Sequence, residues 1–250
     1  MNSSLYRILT LTKRNLKETI RDRLSLVFTI LMPLLMEILF YLLFHGLTSQ
    51  FEMKYLAPGI VVFSQSFVAL FVGILIAVDR GTSFLKRLYV SKAKPYEFIF
   101  GYALSILPII LVQSILFFLI GVIFDGSIFG ASMFLAILLS LFTSLFFIAM
   151  GLLIGSLCTE KSIGGASTVV IVGQSVLSGM WFPIEGLNGV IISIMNVLPF
   201  RNATLLLENV LNGINDSYKD FLLPFLIVLG YTVVSFVFAI LAFRKKMNAD

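Results

Sequence analysis

Apolar stretches alternate with short polar breaks along the chain. The longest polar break of the first half, residues 79–95 (DRGTSFLKRLYVSKAKP), lies between apolar stretches at 56–78 and 98–124. Each stretch is long enough to cross the roughly 30 Å hydrocarbon core as a helix rising about 1.5 Å per residue. Further stretches at 24–44, 133–157, 163–179 and 221–243 bring the predicted spans to six. Ahead of the first, Leu5, Ile8, Leu9, Leu16 and Ile20 share one helical face, with Arg7, Lys13, Arg14, Lys17, Glu18 and Arg21 on the other. That pattern predicts an amphipathic helix within 1–23 lying in the headgroup plane. Between 180 and 220 the pattern breaks up at Pro183, Gly186, Gly189 and Pro199, and the apolar piece 190–198 is too short to span. With Trp181, Phe182 and Phe200 as interfacial anchors, this region reads as a re-entrant or surface-lying helical hairpin. The fold class is therefore an all-α integral membrane protein, with 1–250 as a single transmembrane domain.

The exceptions to the apolar pattern are informative. Within the polar break, 82–90 reads as a short helix, with Thr82 or Ser83 as its cap and Leu85, Leu88 and Tyr89 at i, i+3, i+4. Arg80, Lys86, Arg87, Lys92 and Lys94 make it strongly basic. Such a segment either presses into a groove on a partner or merely fixes topology by its charge. Glu37 is the only ionisable residue of the first span and a candidate intramembrane polar site. It either makes a structural hydrogen bond to a neighbouring helix or serves coupling. Pro33 and Pro108 predict bends in the first and third spans. The second span carries Ser64, Gln65 and Ser66. In the fifth, Gly164, Ser167, Gln174 and Ser178 fall on one face, which must meet protein or a water-filled cavity. Gly151 and Gly155 form a small-xxx-small pattern permitting close helix contact.

Composition sharpens this picture. With 59% hydrophobic and only 12% charged residues, the chain is not a soluble globular domain. The polar opening does not read as a cleaved signal peptide. The lone Cys158 excludes an intrachain disulfide, and the lone His45 argues against a histidine zinc site. The excess positive charge lies beside spans, where anionic lipid is its partner rather than nucleic acid. All Lys and Arg residues except Lys54, Arg201 and Lys219 fall on one side of the predicted topology. The positive-inside rule makes that side cytoplasmic, with both termini and the 79–97 segment inside and the 180–220 hairpin outside. Arg201, Glu185 and Glu208 then belong to the hairpin, serving its own fold or an external gate. The expected location is a bacterial plasma membrane, where the Asn202-Ala203-Thr204 sequon carries no glycan.

Taken in order, these features resemble the type-2 ATP-binding-cassette (ABC) exporter permeases. Arg80-Gly81-Thr82 through Lys86-Arg87-Leu88 is similar to that family's charged Gly-Thr-x-x-x-(Lys/Arg)-Arg-Leu coupling segment. Ser178-Gly179-Met180-Trp181-Phe182-Pro183 with Leu198-Pro199 is similar to its hairpin before the last span. The chain departs from the family at Val78-Asp79-Arg80, where a more acidic run is common. The resemblance implies a dimeric permease, pairing with a second copy or a paralogous permease and bound to cytoplasmic ABC ATPase subunits. It implies ATPase coupling through Arg80, Gly81, Thr82, Leu85, Lys86, Arg87, Leu88 and Tyr89. It also implies a substrate path along Ser64, Gln65, Phe67 and Phe71 of the second span and Ser167, Ile171, Gln174 and Ser178 of the fifth. The chain has no G-x-x-x-x-G-K-[ST] phosphate loop, so it is expected to be non-catalytic, with ATP and Mg on the partner. The apolar, aromatic-rich spans suit export of a lipophilic or amphipathic cargo such as a drug, an antimicrobial peptide or a lipid; a lipid-linked polysaccharide is the alternative. A secondary transporter or channel would favour inverted repeats and more buried charge. An intramembrane hydrolase would need more than Glu37, His45 and the incomplete elbow Gly173-Gln174-Ser175.

Overall fold

The computed structural model describes residues 3–81, 93–182 and 184–247, and among these there is no strand. Helices α1 (Ser3–Arg21), α2 (Arg23–Phe44), α3 (Met53–Gly81), α4 (Pro95–Phe124) and α5 (Ala131–Leu157) are followed by α6 (Ile163–Leu177). The rest of the chain forms α7 (Gly189–Val197), α8 (Pro199–Asn212) and α9 (Leu223–Met247). Five of these segments are long and apolar enough to cross a membrane: α2, α3, α4, α5 and the stretch Ser217–Lys246 that contains α9. The pair α7 and α8, bent by 79° at the break before Pro199, makes a sixth if counted as one broken span. The predicted fifth span, α6, has 15 residues, or about 22 Å of helix. It stops where Gly179 turns the chain at φ 76°, a conformation that costs glycine little.

Short-range chemistry sets the ends. The Asp22 side chain accepts the Ser25 backbone N–H at 3.2 Å and starts α2 directly after α1. Pro95 occupies the first turn of α4, and the Glu97 carboxylate accepts the Lys94 N–H at 3.0 Å. Asn188 caps α7 by accepting from Val190 N at 3.0 Å. Before α9, the Asp216 carboxylate accepts from the backbone of Tyr218 and Lys219 at the head of a π turn, Ser217–Leu222.

Three prolines lie inside helices, Pro33, Pro58 and Pro108, and for the first two an amide side chain from another helix takes the carbonyl freed four residues back. Pro33 leaves Thr29 O, which accepts from Gln113 Nε2 of α4 at 3.0 Å. Pro58 leaves Lys54 O, which accepts from Asn212 Nδ2 of α8 at 3.1 Å. In hydrocarbon an unsatisfied carbonyl costs several kcal/mol, so the buried Gln113 amide lets α2 keep Pro33 there, whereas the Asn212 bond is exposed.

The centre of the bundle is α3, buried over most of its length, with α5 packed against it backbone to backbone. A Cβ added at Gly151 would lie 2.4 Å from Ala69 O, and one at Gly155 would lie 2.7 Å from Gly73 O. The small-xxx-small pattern therefore belongs to an interface within this chain. Phe117, Phe118, Phe147 and Leu207 fill the core on one side of this seam, and Phe98, Tyr102, Ile148 and Phe243 on the other. By contrast α2 is mostly exposed. Leu39, Leu42, Val112, Ile123, Leu138, Val233 and Phe238 point outward, an apolar belt that lipid or another chain must cover.

Candidate functional site

The ends of α1, α3, α4 and α5 meet at the basic end of the bundle, on either side of the 79–97 segment. Asp79, in the last turn of α3, has a side chain only 4% exposed. It accepts from Arg14 Nη2 at 2.8 Å and from Arg14 Nη1, and from the Tyr102 hydroxyl of α4 at 2.5 Å. Arg14 is also paired with Glu18 at 2.5 Å. On the far side of the segment, Glu97 is fully buried and held by two bonds from Arg7, at 2.8 and 2.7 Å. The hydrogen-bonded Glu97 carboxylate raises the Arg7 guanidinium above its usual value, so Arg7 stays charged. One helix, α1, thus grips both roots of the segment through paired, charge-assisted bonds. It can do so because it lies close on α4, where a Cβ added at Gly101 would be 2.8 Å from Leu11 Cβ.

Of the predicted coupling residues, Arg80 and Gly81 are described; Thr82, Leu85, Lys86, Arg87, Leu88 and Tyr89 lie outside the described residues. Arg80 turns back onto the bundle. Its Nη1 donates to the carbonyls of Gly155 and Ser156 at 2.7 Å and of Cys158 at 3.2 Å, capping the negative end of α5.

The predicted path residues separate into two groups. Ser64, Gln65, Ser167, Gln174 and Ser178 are buried within the chain. Gln65 donates to Ser140 O at 2.9 Å and accepts from Thr143 at 3.0 Å, both on α5. Gln174 Nε2 donates to Thr204 on α8 at 3.2 Å, and Ser64 Oγ bonds Val61 O in its own helix at 2.7 Å. Phe67 and Phe71, both half-buried, line a groove of about 400 Å3 between α2 and α3 with Phe28, Met32, Leu70 and Ile74. Ile171 is half-buried against the core, while Val169, Val172 and Val176 of α6 are exposed. Glu37 is fully buried, and neither carboxylate oxygen has a hydrogen-bond partner among the described residues, so the expected bond to a neighbouring helix is not formed. At the other end of the bundle, Gln50 Nε2 donates to Phe182 O at 2.5 Å and Gly179 O at 3.2 Å. Trp181 packs on Phe40 and Phe63 with centroids 4.6 and 5.6 Å away.

Sequence reasoning missed the clamp. Arg7 and Arg14 sit on what reads as the solvated face of α1, and their partners are 90 and 65 positions away. A carboxylate at each root of a basic segment was the available signal. Among the described residues, no group of three or more His, Cys, Asp or Glu side chains is placed to hold a metal.

Comparison with known proteins gives two findings. The family described as ABC-2 type transporter matches residues 6–211. ABC transporter G family member 20 of Dictyostelium discoideum is 26% identical over 200 residues, covering 78% of this chain. The chain spans about a quarter of that relative, 27% of its length.

Proposed function

The chain belongs to the ABC-2 type transporter family, and on that footing we propose that it is the membrane-spanning subunit of an exporter driven by a separate cytoplasmic ABC ATPase. The observation that carries this reading is the double grip of α1 on the 79–97 segment, through Arg14–Asp79 and Arg7–Glu97. In each pair the carboxylate is buried and the guanidinium about a third exposed, so separating one costs about 2–3 kcal/mol. A force applied to the segment therefore moves α1, α3 and α4 together instead of bending a loop. Arg80 extends the linkage to the end of α5, whose glycines lock it to α3. Closure of an ATPase pair against the segment would tilt this block as one body.

In this reading both termini and the 79–97 segment face the cytoplasm of a bacterial cell, and the α7–α8 hairpin faces outward. Arg80 anchors the segment to α5, and Gly81, Thr82, Leu85, Lys86, Arg87, Leu88 and Tyr89 form the contact with the ATPase, which holds ATP and Mg. A second copy or a paralogous permease covers the exposed valine face of α6. Phe67 and Phe71, with Phe28 and Met32, give the path an apolar wall suited to a lipophilic or amphipathic cargo. The inward-facing Gln65 and Gln174 hold that wall in place through α5 and α8.

The test is association and turnover. Full-length protein purified from its native membrane should carry a nucleotide-hydrolysing subunit, and Leu85→Asp with Leu88→Asp should release that subunit while the permease stays monodisperse. Unchanged association and ATP turnover in the double variant would refute the coupling assignment.

A further inference from the structure

A small polar cavity lies at the end of the bundle opposite the basic one. It is lined by Gln50 from the α2–α3 connection, Tyr55 of α3, Ser178 at the end of α6, and Arg201, Leu205 and Glu208 of α8. Several of its polar groups are unspent. Arg201 Nε and Nη1 are buried donors with no hydrogen-bond partner among the described residues, and Gln50 Oε1 is a buried acceptor in the same state. Arg201 and Glu208, two helical turns apart on one face, form no ion pair with each other or with any other described residue. Leaving such groups bare costs on the order of 1–3 kcal/mol each, more for a charge.

The lining specifies what can occupy it. A simple anion would satisfy Arg201 but would face Glu208 and the Gln50 carbonyl. A simple cation would satisfy those two and leave Arg201 bare. A ligand bearing an anionic group beside an ammonium answers all three. The volume of about 80 Å3, comparable to roughly two to three waters, admits the charged tip of a small zwitterion and excludes an acyl chain or an aromatic drug. We propose that this cavity binds the zwitterionic headgroup of an aminophospholipid, phosphate toward Arg201 and ammonium toward Glu208 and Gln50 Oε1. A lipid is the source because the lining includes Tyr55 and Met180, the latter next in sequence to Trp181, and aromatic residues such as Tyr55 and Trp181 favour the headgroup level. The bound headgroup ties the α2–α3 connection, α3, the end of α6 and α8 together. This rests on the membrane reading above and on no ATPase.

The test is lipid retention by the delipidated full-length protein in detergent, read by native mass spectrometry with phosphatidylethanolamine and phosphatidylglycerol of identical chains. Wild type should prefer phosphatidylethanolamine. Arg201→Gln should weaken both lipids by roughly tenfold, the worth of a charge-assisted hydrogen bond. Glu208→Gln, which leaves the buried cation in place, should bring phosphatidylethanolamine down to the level of phosphatidylglycerol. Arg201→Lys, keeping the charge, should fall between wild type and Arg201→Gln. Equal retention of the two lipids by wild type, or a preference that survives Glu208→Gln, would mean that the cavity holds water and would overturn the proposal. Thermal protection by soluble phosphoethanolamine with no lipid retained would overturn the lipid assignment. None of these readouts requires transport, so they fail or succeed independently of the exporter reading.

Discussion

Replacing Asp79 by Asn keeps the side chain's shape and removes the charge around which Arg14 and Tyr102 are arranged. Asp79 receives two bonds from Arg14 and one from Tyr102, with its own side chain 4% exposed and that of Arg14 30% exposed. Breaking a fully buried pair costs about 3–5 kcal/mol. The guanidinium, nearly a third exposed, can recover some hydration, which lowers the expected loss to about 2–3 kcal/mol. Arg14→Gln should cost a similar amount. The double variant should cost little more than either single one, giving a coupling energy of about 2–2.5 kcal/mol. Reversible unfolding of the purified protein in mixed micelles measures all three. If the clamp transmits force, the single variants should also hydrolyse ATP at near wild-type rates with the ATPase bound while exporting less cargo. Single-variant costs that add to within about 0.5 kcal/mol would show that the two side chains do not act as a unit, and the lever would lose its first joint.

Two further predictions concern the core. Gly151→Ala should destabilise by about 1–3 kcal/mol, because the new methyl meets Ala69 O at 2.4 Å, whereas Gly165→Ala, with nothing within 4 Å, should be neutral or mildly stabilising in the same unfolding assay. Gln113→Leu should cost about 1–3 kcal/mol by stranding Thr29 O, and that cost should vanish in a Pro33→Ala background, where the backbone N–H of residue 33 can take the carbonyl itself. An equal cost in both backgrounds would exclude the proline as the reason for the amide.

The spans were legible because their length alone decides the matter: a run such as 98–124 has no other way to be satisfied. The Asp22 cap of α2 and Pro95 in the first turn of α4 depend only on near neighbours in the chain. What the sequence left open was direction around each helix. Ser167, Gln174 and Ser178 read as one polar face, and such a face is shielded from lipid without showing by what; for Gln174 the partner is Thr204 of α8. Gly151 and Gly155 were visible as a contact surface, yet whether it met another copy or the same chain depended on α3, some eighty residues earlier. The predicted span runs to residue 179, two past the end of α6 at Leu177, and the positive φ of Gly179 shows the chain turning there. Arg7 and Arg14 read as headgroup-facing cations of an amphipathic helix, because their carboxylate partners become neighbours only after α3 and α4 have folded back.

The seam between α3 and α5 has a consequence for how such a machine can change shape. Where two main chains touch, there are no rotamers to readjust, so that contact offers no graded sliding: it is either kept or lost. Wholesale loss would open the core to lipid, leaving the pair to travel as a single strut. In the proposed exporter, the give for a change of shape would then come from the periphery, where α2 and the valine face of α6 touch little of their own chain. Selection for new cargo would be expected to act on those flanks, and to leave Ala69, Gly73, Gly151 and Gly155 alone.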